Sequence, residues 1–394
     1  MLSGRAETPE QAQGPRELMA NFDVLIAGAG PAGCATALSL AAFAPELRVA
    51  LVDASRSGEA RIGETVPPQI NPLLAHLGVW DDFACGGHCP SYRTLAAWGD
   101  ARLAGNEFLF HAHQVGWRLD RAAFDRMLVT AVSSRVMALL RAKVVALGKQ
   151  TEGWRVSLSD GTAHMAHFVV DATGRAAALA RRCGLRPVNF DRLVGCCLRA
   201  GSRSDGTEGS MIETFAEGWW YTAAIPGGDR VVVCMTDADR VRPLELSSGR
   251  GFVRLLAETK HVRRVADLGD ASGLPVIWPA GSRFFDSTTA LPLLSVGDAG
   301  LCYDPISGDG IVKALRSGIF ASYAIADWLR RGDARGLSRY RLMLRREFAT
   351  YWGTLCEYYA QERRWPDRPF WRRRHGGRST SGIVANDDRR AQPR

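Results

Sequence analysis

Three glycines and an aspartate in this chain have the spacing of a phosphate-binding loop. The stretch GAGPAG supplies Gly28, Gly30 and Gly33, and Asp53 follows twenty residues after Gly33. In a turn from strand to helix, the first glycine permits the tight bend, the second lets backbone approach a pyrophosphate, and the third lets helix and strand pack closely. An acid at this distance can bind a ribose 2′-hydroxyl. The pattern predicts a dinucleotide site; the alternative is a tight glycine turn without a ligand.

A second stretch, LLSVGDAGLCYDPISGDGIVKAL at 293–315, also brings an acid to the end of an apolar run. The run LLSV is short enough for a buried strand and is followed closely by Asp298. Pro305, Gly308 and Gly310 come next, before a segment with helical character. Because glycine has no Cβ atom, this loop can lay its backbone against a flat ligand.

A strand–helix–strand unit is needed to position the first of these sites. The β-branched run FDVLIAG at 22–28 predicts a strand, and the alanine-rich segment AGCATALSLAAFA predicts a helix. RVALVDA at 48–54 predicts a second strand that ends in Asp53. The N-terminus of the intervening helix would offer free N–H groups to the phosphates.

Further along the chain, the pattern changes to short strands and then to helices. Helical spacing near 117–131 places Phe124, Leu128 and Ala131 on one face. The runs VMALLRAKVVAL, GWRVSLSDG and AHFVVDATG predict three strands. Residues 187–285 contain short apolar runs separated by Gly, Asp and Ser, which predict an antiparallel sheet. A helix-rich stretch at 311–364 follows.

The composition is that of a globular chain with two or three packed units. It has 394 residues, of which 46% are hydrophobic and 23% charged. No apolar run is long enough to predict a membrane span, and the N-terminus lacks the apolar core of a signal peptide, so we expect a cytoplasmic protein. The nine cysteines are scattered and predict no disulfide framework. Cys85-Gly-Gly-His-Cys89 lacks a second ligand pair, so we expect no metal site.

The positive charge is concentrated at the C-terminus. The formal net charge is +9, and residues 363–394 contain ten arginines against three aspartates. Such a segment can steer an acidic partner, although a solvated, disordered end is the alternative interpretation. We expect no nucleic-acid partner, because no nucleic-acid-binding motif accompanies the charge.

Three motifs together resemble those of FAD-dependent group A monooxygenases and flavin-dependent halogenases. They are GAGPAG at 28–33, DATG at 171–174 and GDAG…P…G.G at 297–310. The resemblance implies an α/β fold with a Rossmann-like FAD-binding domain of the glutathione-reductase/p-hydroxybenzoate-hydroxylase type, an inserted antiparallel β-sheet substrate domain and a helical C-terminal part. The boundaries expected from it are a flexible extension at 1–20, a discontinuous FAD-binding domain at 21–92, 115–186 and 286–330, a substrate domain at 93–114 and 187–285, a C-terminal helical segment at 331–375 and a flexible basic tail at 376–394.

The same resemblance implies which residues hold FAD. Asp298 would meet the ribitol and pyrophosphate, and the backbone from Pro305 to Ile311 would lie beside the isoalloxazine ring. A helix beginning near Gly310 would aim N–H groups at the ring edge that becomes anionic on reduction. The predicted FAD-binding residues are Gly28, Gly30, Ala32, Gly33, Asp53, Arg61, Ile62, Gly63, Arg121, Val144, Asp298, Pro305, Gly308, Gly310 and Ile311. Among them, Arg61, Ile62 and Gly63, together with Glu64, look like the loop that crosses the flavin, and Val144 is placed near the adenine.

The residues that halogenases of this superfamily use are replaced. Their lysine follows a Ser-Tyr pair, where this chain has Arg93, and their loop glutamate falls on Ser307. The tryptophan motif before Ile-Pro reads Tyr221-Thr-Ala-Ala. Arginine is a permanently charged planar group and does not readily serve as a halamine nucleophile. These departures favour oxygen transfer over halogenation.

Oxygen transfer in the resembled monooxygenases proceeds through a flavin C4a-hydroperoxide formed from reduced flavin and O₂, which oxygenates an electron-rich aromatic carbon. Glu64 and Asp304 are the candidate acid/base groups; each could instead be a structural hydrogen-bonding residue. Arg93 and Trp220 are candidates for lining the substrate cavity, with core packing as the alternative for the tryptophan. No second Gly-x-Gly-x-x-Gly motif follows, so we expect an external reductant or reductase to supply the electrons.

Two further stretches point to a polypeptide substrate. GETVPPQINPLLAHLGVWDDF at 63–83 and ERRWPDRPFWRRR at 362–374 resemble flavoproteins that mature protein-derived quinone cofactors. These enzymes hydroxylate a tryptophan inside a small, quinone-bearing amine dehydrogenase subunit. The resemblance implies the same chemistry on an acidic partner polypeptide. A monooxygenase of a free aromatic small molecule and a non-catalytic flavoprotein assembly factor are the alternatives.

Overall fold

The computed structural model of the chain describes residues 18–54, 63–203, 209–269, 273–285 and 292–376. Its strands, in chain order, are β1 (Leu18–Ala27), β2 (Val49–Val52), β3 (Thr65–Val66), β4 (Cys89–Ser91), β5 (Arg93–Ala97), β6 (Ala104–Glu107), β7 (Gly116–Arg118), β8 (Ala138–Leu140), β9 (Val144–Gln150), β10 (Gly153–Leu158), β11 (Ala163–Asp171), β12 (Val188–Asn189), β13 (Leu193–Ser202), β14 (Ser210–Phe215), β15 (Gly218–Ala224), β16 (Asp229–Asp237), β17 (Ala266–Asp267), β18 (Val276–Pro279), β19 (Arg283–Phe284), β20 (Leu293–Ser295) and β21 (Leu301–Cys302).

The α-helices are α1 (Pro31–Phe43), α2 (Ile70–His76), α3 (Trp80–Ala84), α4 (Arg121–Ser133), α5 (Ala178–Arg182), α6 (Gly249–Ala257), α7 (Val262–Val265), α8 (Gly310–Arg331), α9 (Arg335–Ala360) and α10 (Pro369–His375). Short 3₁₀ turns lie at Phe108–Phe110, Gly174–Ala176, Ala238–Arg240, Gly297–Ala299 and Pro305–Ser307. None of the helices in the described ranges is long and apolar enough to cross a membrane.

The first sheet is built around the predicted strand–helix–strand unit. Its strands run in the order β8-β2-β1-β11-β10-β9, and β20 also pairs with β11. β8, β2, β1, β11 and β20 are parallel, whereas β9 and β10 form an antiparallel meander on β11. Residues 24–27 of β1 and all of β2 are buried, as the apolar runs of the sequence predict. The carboxyl ends of β1, β2, β11 and β20 therefore meet at one edge of the sheet.

The second sheet contains eight strands and is mostly antiparallel. Its order is β17-β13-β16-β15-β14-β5-β6, and β18 also pairs with β13. One face packs on α6 and α7 through residues such as Trp220, Cys234 and Phe252. The opposite face, which we call the inner face, carries Trp219 and Val233 and packs into the same core as α1 and α8. The α/β fold with a second, antiparallel sheet confirms the expected fold class.

The two sheets are joined by smaller elements and by α9. β3, β7 and β4 form one three-stranded sheet, and β12, β19 and β21 form another. α9 begins against the first sheet, where Tyr340 donates to the Ser295 carbonyl oxygen. It ends on the second sheet, where Trp98 Nε1 donates to the Tyr358 carbonyl oxygen at 2.9 Å and Trp219 Nε1 donates to Tyr359 Oη at 2.9 Å.

The Arg-rich segment after α9 is folded onto the second sheet. Trp371 is buried and donates to the Phe215 carbonyl oxygen at 2.9 Å. Arg373 pairs with Asp237 and Asp239, and Arg374 pairs with Asp237 at 2.9 Å. Internal carboxylates therefore neutralise Arg373 and Arg374, so these two arginines do not belong to a solvated, disordered end. The rest of the predicted basic tail, 377–394, lies outside the described residues, as does most of the predicted N-terminal extension.

Candidate functional site

The turn between β1 and α1 can be made only with glycine. Gly28 has a φ of +109°, and a Cβ atom there would overlap the Ala172 carbonyl oxygen. A Cβ atom on Gly33 would overlap the carbonyl oxygen of Gly28. Helix and strand therefore approach more closely than any side chain would allow, as the spacing of the motif predicts.

The N-terminus of α1 is open to a ligand. Gly30 is its N-cap, Pro31 begins the helix, and no side chain of the described residues caps it. Its first-turn N–H groups and the positive end of the helix dipole can hold a phosphate. Ala32, in the first turn of α1, lies against Gly297. A Cβ atom added to Gly297 would come within 2.7 Å of the Ala32 Cβ atom. Backbone from the two predicted ligand-binding stretches is thus brought together at this helix end.

Asp53 lies beside the glycine turn, at the carboxyl end of β2. Its Oδ1 accepts a hydrogen bond from the Ala29 N–H at 3.3 Å, and its Oδ2 is 3.9 Å from Arg141 Nη1. Val144 packs into the same apolar cluster as Val52, directly before Asp53. The residues predicted for the ribose and the adenine thus converge at one edge of the first sheet.

Asp298 is held by two cations that the sequence analysis did not identify. Lys313 is almost fully buried, and its Nζ lies 2.5 Å from Asp298 Oδ1. Arg175 Nε lies 3.5 Å from Asp298 Oδ2. Burial alone would raise the pKa of Asp298, but Lys313 and Arg175 outweigh it and bring the pKa below its ordinary value. A signal for Arg175 was its position directly after the DATG motif.

Three further predicted residues meet at the start of α8. A Cβ atom on Gly63 would come within 2.6 Å of Arg121 Nη1 and 3.7 Å of the Ile311 Cδ1 atom. Gly63 has a φ of +111°, which glycine adopts without strain. Arg121 begins α4, which Asp120 caps through a bond from the Ala123 N–H. Arg61 and Ile62, predicted with them, lie outside the described residues.

The loop from Pro305 to Gly310 forms a short 3₁₀ turn before α8. Gly308 has a φ of +65° and ends the turn. Ser307 Oγ accepts a hydrogen bond from the Asp309 N–H at 3.3 Å, so the side chain at the halogenase glutamate position is engaged within the loop. α8 then begins at Gly310, as the sequence predicts, and no side chain of the described residues caps its N-terminus.

Glu64 is a buried carboxyl below the inner face of the second sheet. Its Oε2 accepts from the Gly63 N–H at 3.1 Å. Burial raises its pKa, although the Gly63 N–H, Arg121 and Arg199 oppose that rise. Glu64 in turn raises the pKa of the Cys197 thiol, which burial has already brought up, to about 12. A buried carboxyl with a raised pKa is typical of an acid/base group.

Asp304 is the second buried carboxyl. Its Oδ1 accepts from the Ile306 N–H at 2.9 Å, and its Oδ2 accepts from the Tyr359 hydroxyl at 2.8 Å. Burial, aided by Asp191, raises the pKa of Asp304 to about 7. Asp304 also lines a cavity of about 650 Å³ between α9, α10 and the second sheet. No other predicted site residue lines this cavity, so it is separate from the cluster at Gly63 and Ile311.

Two residues proposed to line the substrate cavity are placed differently. Trp220 is fully buried on the α6 face of the second sheet, against Phe252, so core packing, the alternative interpretation, is correct for it and a place in the cavity is not. Its neighbour Trp219 occupies the inner face instead. Arg93, at the halogenase lysine position, is partly exposed and lies 3.6 Å from Glu107. Within the described part of the chain, no group of three or more His, Cys, Asp or Glu residues could hold a metal ion.

The arrangement fits FAD. The glycine turn and the uncapped end of α1 suit a pyrophosphate, Asp53 suits a ribose, and the glycine-flanked start of α8 suits the edge of a flat ring. These segments are far apart in sequence and converge on one side of the first sheet. The assignment of the individual residues to FAD stays a prediction.

Comparison with known proteins identifies the family. A profile described as tryptophan halogenase matches residues 23–100. LodB of Marinomonas mediterranea, assigned as an FAD-dependent oxidoreductase, is 31% identical over 91% of this chain and 98% of its own length. The fold is that of the myxobacterial chondrochloren halogenase CndH (20% identity, TM-score 0.81, covering 93% of this chain and 88% of that chain). It is also that of the peptidyl tryptophan dihydroxylase QhpG (23% identity, TM-score 0.68, covering 90% and 79%). The chain is an oxidoreductase with FAD as its cofactor, and it belongs to the family of FAD-dependent oxidoreductases that includes LodB.

Proposed function

We propose that the protein is a monooxygenase that hydroxylates a tryptophan residue in a partner polypeptide, as a step in making a protein-derived quinone cofactor. The observation that carries the proposal is that the two residues that halogenases use, a lysine and a glutamate, are replaced here by Arg93 and Ser307. Arg93 lies beside Glu107, and Ser307 is bonded within its own loop. Neither residue type can hold an oxidised halogen as lysine and glutamate do.

Bound FAD would supply the activation of O₂, with electrons from an external reductant. One oxygen atom enters the indole ring, and the other leaves as water. The chain's own contribution is to orient the indole, exclude water and accept its N–H proton as the ring is attacked. Glu64 is the group proposed for that proton, since burial raises its pKa and makes its carboxylate a stronger base.

Two observations favour a polypeptide substrate: the similarity in fold to QhpG and an exposed apolar edge of the second sheet. QhpG is described as a peptidyl tryptophan dihydroxylase essential for tryptophylquinone cofactor biogenesis, and its fold is shared by this chain. Apolar side chains of the second sheet are also exposed at its edge, as the next subsection describes. An acidic partner, a cytoplasmic location and an external reductase remain part of the proposal.

Intact-mass measurement tests the proposal directly. The purified protein would be reduced, mixed with air and chloride, and given either a synthetic peptide with one central tryptophan or free tryptophan and indole. A gain of one or two oxygen atoms on the peptide is the expected result. Oxidation confined to the free indoles would instead assign a small-molecule monooxygenase, and a chlorinated product would assign a halogenase. Reduced protein that reoxidises without any product would leave the assembly-factor alternative.

A further inference from the structure

The edge of the second sheet at β18 exposes a run of apolar side chains. Leu274, Val276, Ile277 and Trp278 are 72%, 53%, 40% and 39% exposed. β18 pairs with β13 on one side, and no strand of the described ranges pairs with its other side. An exposed apolar strand at a sheet edge is a hazard for aggregation unless something covers it or blunts it.

Pro279 blunts this edge against strand addition. The Ala280 N–H donates to the Leu193 carbonyl oxygen at 2.9 Å. Because backbone groups alternate in direction along a strand, the N–H groups of Val276 and Trp278 also point towards β13. The backbones of Ile277 and Pro279 therefore face the open side of β18, whereas Pro275, directly before the strand, is buried. Because proline has no N–H, only Ile277 offers a donor to an added strand. A partner would thus contact this edge mainly through its side chains.

The exposed edge is continuous with the inner face that covers Glu64. In the strand register, Val276 lies opposite Cys197, Cys197 opposite Val233, and Val233 opposite Tyr221. Opposed residues of neighbouring strands share a face, so these four form one row across the inner face. Tyr221 in this row has its hydroxyl 3.0 Å from Thr65 Oγ1, directly after Glu64, and the row continues to Ile212 on β14. Trp278 begins the next row, opposite Gly195.

A cation stands beside the same row. Arg199 follows Cys197 on the same face of β13, and 66% of its side chain is exposed. It lies 3.6 Å from Asp229, but it is close enough to Glu64 to affect the pKa of that carboxyl. A weakly paired, exposed arginine between an apolar edge and a buried acid favours a ligand with both apolar and acidic groups.

We propose that Leu274, Val276, Trp278 and Arg199 form the mouth through which the substrate polypeptide reaches the flavin site. The occupant is an apolar segment with an adjoining acidic residue, and it carries the target tryptophan. This inference rests on the proposed function and adds the surface by which the substrate is recognised.

Binding of a fluorescent peptide tests the mouth. The probe is a synthetic peptide with one central tryptophan flanked by leucine and glutamate, titrated by anisotropy into the full-length, FAD-loaded protein. The double variant Leu274→Ser, Trp278→Ala should weaken binding at least about 10-fold, as loss of an apolar anchor does. Arg199→Glu should weaken it by a similar factor at low salt and less at high salt. The matched control is Val253→Ser on α6, 45% exposed on the other face of the sheet.

The outcomes separate this inference from the proposed function. Unchanged FAD fluorescence and melting temperature show that each variant folds. If the double variant does not fold, Leu274→Ser alone replaces it in the binding test, because Leu274 lies outside β18. Equal peptide affinity for wild type, mouth variants and control, or no binding by wild type, would overturn the mouth. Peptide that binds at the mouth and gains no oxygen would overturn the proposed function alone.

Discussion

Lys313 Nζ and Asp298 Oδ1 lie 2.5 Å apart, and the lysine is buried almost completely while a third of the aspartate side chain is exposed. The lysine also donates to the Leu301 carbonyl oxygen. A buried ammonium group is costly unless its partners are in place. The pair therefore fixes the predicted ribitol-binding acid to the start of α8.

Replacing Lys313 should weaken FAD binding. In Lys313→Met, Asp298 loses its main cation and keeps only the more distant Arg175, so it presents a less compensated carboxylate to the anionic pyrophosphate. We expect the dissociation constant for FAD to rise about 10-fold or more, measured by quenching of flavin fluorescence. Lys149→Met, at an exposed position, is the control. Identical affinities for the two variants would contradict a role for this pair in holding the cofactor.

Asp304→Asn should remove a pH dependence of stability. The folded-state pKa of about 7 lies above the ordinary value of 3.8, so the folded protein holds a proton that the unfolded chain has lost between these two pH values. Wild-type stability should therefore fall as pH rises through this window, by on the order of 4 kcal/mol, and level off above it. Asparagine can keep the bond from Ile306. Urea unfolding at several pH values checks this, and parallel pH profiles for the two proteins would refute it.

Glu64→Gln should slow hydroxylation while leaving FAD bound. Loss of a general base typically costs about 10²- to 10⁴-fold in rate. Because the pKa of Glu64 is raised, the wild-type rate should increase with pH as the carboxyl loses its proton, and the variant should lose that limb. Product formation by mass spectrometry, followed across pH, gives the profile. Glu258→Gln, at an exposed position on the far side of the second sheet, is the control. If Glu64→Gln retains the wild-type pH profile, Glu64 is a structural residue.

Two truncations should behave differently. A chain that ends at residue 376 keeps Trp371, Arg373 and Arg374, and its melting temperature should match that of the full chain. A chain that ends at residue 362 leaves Asp237 buried without its arginines, which should cost about 3–5 kcal/mol in addition to the lost Trp371 packing. Calorimetry measures both. Equal destabilisation by the two truncations would mean that 377–394, not α10, supports the fold.

The same pair of truncations revises the steering prediction. Residues 377–394 contain only four arginines against two aspartates, so most of the positive charge lies in the folded segment before them. Loss of 377–394 should therefore change peptide affinity only slightly, even at low salt. A large, salt-dependent loss of affinity in the chain ending at 376 would restore the original interpretation.

The elements around the glycine motif could be predicted because several local signals agree there. Glycine spacing, β-branched runs and an alanine-rich helix all indicate the same unit, and α8 begins at the glycine that the sequence predicts. Which of Trp219 and Trp220 lies on the inner face could not be predicted from local signals. Both faces of the second sheet are covered, so both tryptophans are buried and the alternation of apolar residues does not reveal which face is inner.

The polar contacts were harder to predict, because their partners are distant in sequence. A lysine within a helix is normally solvated, so nothing at Lys313 itself marked it as buried; its apolar neighbours Ile311, Val312 and Leu315 were the available signal. The arginines of α10 looked like a solvated run for the same reason. Their carboxylate partners, Asp237 and Asp239, lie more than 130 residues upstream.

The closing of the second sheet by the last described helix has a consequence for synthesis. β5 and β14 are made early, but Gly99 and Thr214 bond to Glu362, and Phe215 bonds to Trp371. Because a ribosome releases the N-terminal part of a chain first, this sheet waits without its cover until translation is complete. The nascent protein therefore has an interval in which Trp98 and Trp219 lack their partners on α9.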